Sequence, residues 1–170
     1  MRQSPFRKAK ARGGTDGDKA VKKVFERKER ALAFLVNEMN AKYFNKSLPC
    51  LIPHFTERLK ARARFNPHGY CVVSNDNELS EFFVIEISPS MLNNTKYEIC
   101  AELLMQMIVA FCELHGICIT SNVGRYYSLT FKQFAESKGL RCSYDRIRGW
   151  GNVTPSEKFI DFIDGVKVDL

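Results

Sequence analysis

Thr95-Lys96-Tyr97-Glu98-Ile99-Cys100-Ala101-Glu102-Leu103-Leu104-Met105-Gln106-Met107-Ile108-Val109-Ala110-Phe111-Cys112-Glu113-Leu114 is the stretch whose reading decides the architecture. Thr95 and Glu98 have the spacing of a capping box. The threonine hydroxyl accepts from the backbone three residues on, and the glutamate reaches back. The helix this predicts, Lys96 to about Leu114, is apolar nearly all round, through Ile99, Leu103, Leu104, Met105, Met107, Ile108, Val109 and Phe111. A helix without a wet face lies buried between other layers.

Working upstream, Glu81–Ser88 sets Phe82, Val84 and Ser88 against Phe83, Ile85 and Ile87, the alternation of a strand. Asn75-Asp76-Asn77 reads as a turn. Gly69–Ser74 and the region around Ile52–Leu59 read as extended partners in a small antiparallel sheet. Val21, Val24, Phe25, Leu32, Leu35, Val36 and Met39 follow one face of an amphipathic helix that runs to about Lys42 and stops before the prolines of Tyr43–Pro53. Downstream, Leu129–Lys138 reads as an amphipathic helix closed by Gly139. A short strand-like piece surrounds Trp150. Thr154-Pro155-Ser156-Glu157 opens a last helix, with Pro155 at its first position, that ends at Gly165. The fold class is α+β in one domain over residues 21–170, with a small antiparallel sheet packed on the buried helix.

The chain has 170 residues, 45% hydrophobic and 26% charged, which suits one domain with a real core. No stretch approaches the roughly 20 apolar residues of a bilayer span. The N-terminus is basic and lacks the apolar segment of a secretory signal, so a cytoplasmic location is expected. Six cysteines form no Cys-x-x-Cys pair and read as reduced thiols, not a disulfide scaffold. The net charge of +7 is concentrated at one end. Residues 1–23 hold Arg2, Arg7, Lys8, Lys10, Arg12, Lys19, Lys22 and Lys23 against Asp16 and Asp18, while the rest of the chain holds 18 basic and 17 acidic groups. Residues 1–20 therefore read as a flexible basic arm. Such an arm serves as an electrostatic tether for nucleic acid or another polyanion, or as a solubilising tail.

A second basic region interleaves arginine with aromatic rings: Arg125-Tyr126-Tyr127, then Arg141, Tyr144, Arg146 and Arg148. That mixture suits stacking and phosphate contact with single-stranded nucleic acid, and Arg125, Tyr126, Arg146 and Arg148 are its candidate residues. Cys112, His115 and Cys118 have a spacing that allows convergence on a metal, against the simpler reading of core thiols and a histidine placed at a helix C-terminus by the dipole. His54 and His68 read as surface or turn histidines. Lys60, Arg62 and Arg64 read as a solvated strand edge. No nucleophile elbow, specific Cys–His arrangement or phosphate-cradling glycine loop is present.

Several separated blocks, in order, resemble the SprT-like (Spartan-type) zinc metallopeptidase domains, in the short form found in Firmicutes genomes and their phages. Asn37-Glu38-Met39-Asn40-Ala41-Lys42-Tyr43-Phe44-Asn45-Lys46-Ser47-Leu48-Pro49 resembles the family's opening segment. Ile85-Glu86-Ile87-Ser88 with Met91-Leu92-Asn93 is similar to the strand before its zinc helix. Gly124-Arg125-Tyr126-Tyr127-Ser128-Leu129-Thr130-Phe131 resembles its "Gly-x-Tyr-His-Asn-x-x-Phe" segment, and Arg148-Gly149-Trp150, Thr154-Pro155 and Phe159–Ile163 resemble its tail. The resemblance covers about residues 30–164 and implies a minimal zincin-like fold.

It also implies a lost site. Where the family has His-Glu-x-x-His, two zinc ligands around a water-activating glutamate, this chain has Met105-Gln106-Met107-Ile108-Val109. The third ligand, a histidine, falls on Tyr127. Valine donates nothing, a thioether suits copper(I) better than zinc, and Gln106 cannot take a proton from water. The expectation is a catalytically inactive pseudo-metallopeptidase, without cofactor, that acts by binding nucleic acid or a nucleoprotein complex. Its likeness to phage-borne relatives implies, as one specific form, a mobile-element protein that blocks a host nucleic-acid enzyme. The alternatives are an active zinc peptidase of DNA-associated proteins with non-standard ligands and a protein–protein adaptor. Neither a membrane nor a small-molecule substrate is implied.

Overall fold

A computed structural model describes residues 16–57, 59–67, 71–73, 79–121, 124–168 and 170. Helix α1 (Asp16–Phe44) leads into strands β1 (Leu51–Phe55), β2 (Ala63–Asn66), β3 (Cys71–Val73), β4 (Leu79–Glu81) and β5 (Phe83–Ile87). A 3-10 turn precedes α2 (Lys96–Leu114). Then come β6 (Thr120–Ser121), β7 (Tyr126–Tyr127), α3 (Leu129–Ser137), β8 (Leu140–Asp145), β9 (Gly149–Pro155) and α4 (Glu157–Gly165). The domain is α+β.

The capping box that opens α2 is present in both directions, with Glu98 N–H donating to the Thr95 hydroxyl and Thr95 N–H to the Glu98 carboxylate. Its first-turn carboxylate is held below the ordinary range, first by the backbone bond from Thr95. Twelve of the helix's residues are buried. The helix has β2 on one side and contacts α1, α3, α4 and β9 on the others, so every face finds apolar company.

α1 begins at Asp16, earlier than the apolar periodicity predicts, so Lys19 sits on a helix. Apolar spacing marks only the part of a helix that packs: among the described side chains of α1, none before Leu32 is buried. Lysine and glutamate are good helix formers, and aspartates at positions 16 and 18 suit a helix N-terminus. At its far end Asn45 and Lys46 take positive φ. The Asn40 amide brackets Leu48, donating to its carbonyl at 3.0 Å and accepting from its N–H at 3.3 Å.

The first sheet, ordered β1-β5-β2, is mixed: β2 runs antiparallel to β5, but β1 runs parallel to it. This corrects the expectation of a purely antiparallel sheet. Alternation reports that a segment is extended, not which way its neighbour runs, and the chain between β1 and β5 is long enough to return for a parallel pairing. On each edge strand a side chain takes one outward N–H. On β1, the Phe55 N–H donates to Glu29 Oε1 at 2.8 Å and Pro53 has no N–H to offer. On β2, the Phe65 N–H donates to Gln106 Oε1 at 2.9 Å. Arg64 lies on this edge strand and pairs with Glu86 at 2.6 Å, as a solvated edge would.

A separate antiparallel pair, β3 with β4, flanks the expected turn at 75–77, which lies outside the described residues. The C-terminal region holds a second sheet, ordered β6-β7-β9-β8, where the sequence indicates only a short piece around Trp150. The hairpin β8–β9 forms one side of it, with β8 at the edge, and Pro155 ends β9 instead of starting α4. Ser156 caps that helix, its hydroxyl accepting from Phe159 N–H. Gly139, at φ +90°, follows α3 in the left-handed conformation expected of a helix-ending glycine.

Candidate functional site

Met105 and Val109 stand one helical turn apart on α2. Met105 is fully buried and Val109 half-buried, both packed in the core. Tyr127, on β7, packs its ring 4.5 Å from that of Phe131 and lies against Gly151, where any Cβ would collide with it. Burial raises the Tyr127 pKa, and Arg148 and Glu102 are its charged neighbours.

Gln106 is only 4% exposed and spends both ends of its amide inside the protein. Its oxygen accepts from the Phe65 N–H of β2, and its nitrogen donates to Glu102 Oε1 at 3.2 Å. Glu102 is 7% exposed, with its pKa raised by burial against the opposing pull of the Gln106 bond, Arg148 and Arg62. Among the described residues no buried side-chain nitrogen or oxygen lacks a partner. Glu102 is the member of this network that sequence reading missed. Its signal is the i, i+4 spacing to Gln106, which places both polar groups on one face of an otherwise apolar helix.

A thioether, a branched aliphatic and a phenol whose pKa is raised further do not fit a zinc ion that takes imidazole, carboxylate or thiolate ligands. Nor does the spacing Cys112, His115, Cys118 produce a site. Cys112 is buried, its thiol pushed up to about 11 by desolvation; Cys118 is exposed and donates to the Thr120 carbonyl. His115 stacks on Phe111 with its Nδ1 2.7 Å from the Phe111 carbonyl oxygen. Among the described residues no three His, Cys, Asp or Glu side chains are grouped as a metal requires. His54 lies in β1 and pairs with Glu29 at 2.9 Å, and His68 lies outside the described residues.

The basic and aromatic residues fare differently, because the second sheet gathers them. Tyr126 on β7 donates its hydroxyl to that of Tyr144 on β8 at 2.9 Å. Tyr144 meets Trp150 of β9 edge-on at 5.4 Å, and Lys132 of α3 sits 4.2 Å over the Trp150 ring. Such a cation–ring contact holds both groups in place. Arg125, next to Tyr126, and Arg146, in the turn after β8, are exposed; Arg148 is half-buried, near Tyr127 and Glu102, so it is less open to a ligand than Arg146. Arg141 lies on the same hairpin and pairs with Glu157 at 3.4 Å. Trp150 and Lys132 join the cluster only through the strand order, although the Asp145 to Gly149 interval, a short turn closed by glycine, is a hairpin signal in the sequence.

Of the basic residues up to position 23, Lys22 and Lys23 are exposed on α1, Lys19 lies in its first turns, and Arg2, Arg7, Lys8, Lys10 and Arg12 lie outside the described residues. No helix among the described residues is long and apolar enough to cross a membrane. Comparison with protein-family models, with curated proteins and with solved structures found no match.

Proposed function

We propose that this chain is an inactive SprT-like pseudo-metallopeptidase that acts by binding nucleic acid or a nucleoprotein complex. The observation that carries the first half is the Gln106 amide. At the position where the family's glutamate would activate water, it is committed to the Phe65 N–H and Glu102, and neither group is free for a substrate. The bond to Phe65 also occupies an N–H of the β2 edge that an extended peptide adding as a further strand would need. With Met105 and Val109 completing the core, apolar packing replaces ligands that are costly to bury without their ion.

The second half rests on the contact of Tyr126, Tyr144 and Trp150, with the exposed Arg125 and Arg146 adjacent in sequence to the strands that carry them, supported by Lys22 and Lys23 and the five basic residues before Asp16. Cations bring salt-dependent affinity for phosphates, and rings supply stacking on bases. The test joins two measurements. Purified protein is assayed for zinc, and its binding to a labelled oligonucleotide is followed against salt. The reading expects no zinc beyond trace and an affinity that falls linearly in log–log form with salt. Stoichiometric zinc whose removal lowers the melting temperature would restore the peptidase alternative. Absence of oligonucleotide binding at low salt would leave the adaptor.

A further inference from the structure

Ile147 is 84% exposed, more than any other large apolar side chain among the described residues. It sits at the centre of the three-residue turn Arg146-Ile147-Arg148 that joins β8 to β9. That turn is rigid for specific reasons. Asp145 Oδ1 accepts from the Ile147 N–H at 2.7 Å and the Arg148 N–H at 2.6 Å, while the Asn152 amide holds Oδ2. These backbone bonds keep the Asp145 carboxyl ionised below its ordinary range. Gly149 closes the turn at φ +62°, and a Cβ there would strike the Tyr127 carbonyl. Nothing in this geometry calls for a branched apolar side chain at the tip, where a polar residue is the usual choice.

We infer that Ile147 is a wedge that inserts between adjacent bases of a bound strand, with Arg146 beside it on phosphate and Tyr144, 53% exposed, stacking behind. The inference rests on the nucleic-acid reading of this face and adds to it the residue that opens the base stack. Apolar side chains that part base steps are a recognised way of gripping nucleic acid, and a tip held rigid before binding loses little entropy on insertion. The alternative occupant of an apolar tip flanked by arginines is an anionic membrane. One isoleucine buries too little to anchor there, and the Tyr126 hydroxyl proton is already given to Tyr144.

The test uses the full chain and a single-stranded oligonucleotide carrying 2-aminopurine among adenines, whose fluorescence rises when its neighbours are unstacked. Wild type should raise the signal on binding. Ile147→Ser should lose most of that rise and bind about tenfold more weakly. It should keep its melting temperature and its affinity for heparin, a polyanion without bases, and Ile147→Phe should recover the signal. If Ile147→Ser keeps both signal and affinity, or weakens heparin equally, the wedge is wrong while the nucleic-acid reading stands. If the substitution instead abolishes binding to phosphatidylserine vesicles and spares the oligonucleotide, the tip is a membrane contact. Should wild type bind no oligonucleotide at all, the proposed function falls, and the wedge with it.

Discussion

Replacing Gln106 by glutamate supplies the residue that the motif of the proposed family carries there, and it should damage this protein without activating it. The new carboxylate can still accept from the Phe65 N–H, but it cannot donate to Glu102, which now lies 3.2 Å from the amide nitrogen. One hydrogen bond becomes a contact between two acids in a buried place. Losing the bond and forcing a proton onto the pair costs about 2–4 kcal/mol near neutral pH. For a chain of this length that is roughly 5–15 °C in Tm. The cost has a definite pH dependence. Burial already holds the Glu102 carboxyl above its ordinary range, and a neighbouring acid raises the upper pKa of the pair further. A group whose folded pKa lies above its unfolded one is neutral in both states in acid and costs stability as pH rises through that window. Thermal melts of Gln106→Glu should therefore lie close to wild type near pH ~4 and fall progressively behind it toward pH ~8. A variant with the wild-type melting temperature at neutral pH would refute the buried network, and one that bound zinc tightly would refute the lost site.

Other perturbations probe neighbouring features. Glu102→Gln keeps an oxygen for the Gln106 amide and removes a buried group whose ionisation burial opposes. It should stabilise the protein by about 1 kcal/mol at neutral pH and have no effect in acid, as denaturant titration at the two pH values would register. Gly149→Ala drives a Cβ into the Tyr127 carbonyl at a positive φ. Loss of about 2–4 kcal/mol is expected in a urea melt, and a neutral result would mean the hairpin turn is differently built. Glu29→Ala uncaps the Phe55 N–H on the β1 edge and leaves His54 without its partner, for about 1–2 kcal/mol and faster aggregation by light scattering. Tyr144→Ala, which removes a half-exposed ring, should weaken oligonucleotide binding about tenfold while leaving the salt slope unchanged, because it touches no phosphate charge.

Local rules carried the helices. The Thr95–Glu98 box, the all-round apolar run behind it and Gly139 after α3 are signals a segment holds within itself, since capping bonds span three residues and helical faces repeat every few. What the side chains at 105, 106, 109 and 127 can offer a ligand was equally legible, being a matter of which atoms each owns. What the chain could not announce is everything that depends on a partner distant in sequence. β1 runs parallel to β5 because the connection between them crosses back, and no alternation records direction. The hairpin β8–β9 brings Trp150 against Tyr144, and Tyr126 reaches Tyr144 from β7, a meeting created by the strand order β7-β9-β8. Gln106 reads in isolation as a polar amide on an otherwise apolar helix. Only the packing of α2 beneath β2, 41 residues earlier in the chain, makes it the acceptor for the Phe65 N–H. A hydrogen bond is decided by where two atoms end up, and for residues that far apart that is fixed by the collapsed core as a whole.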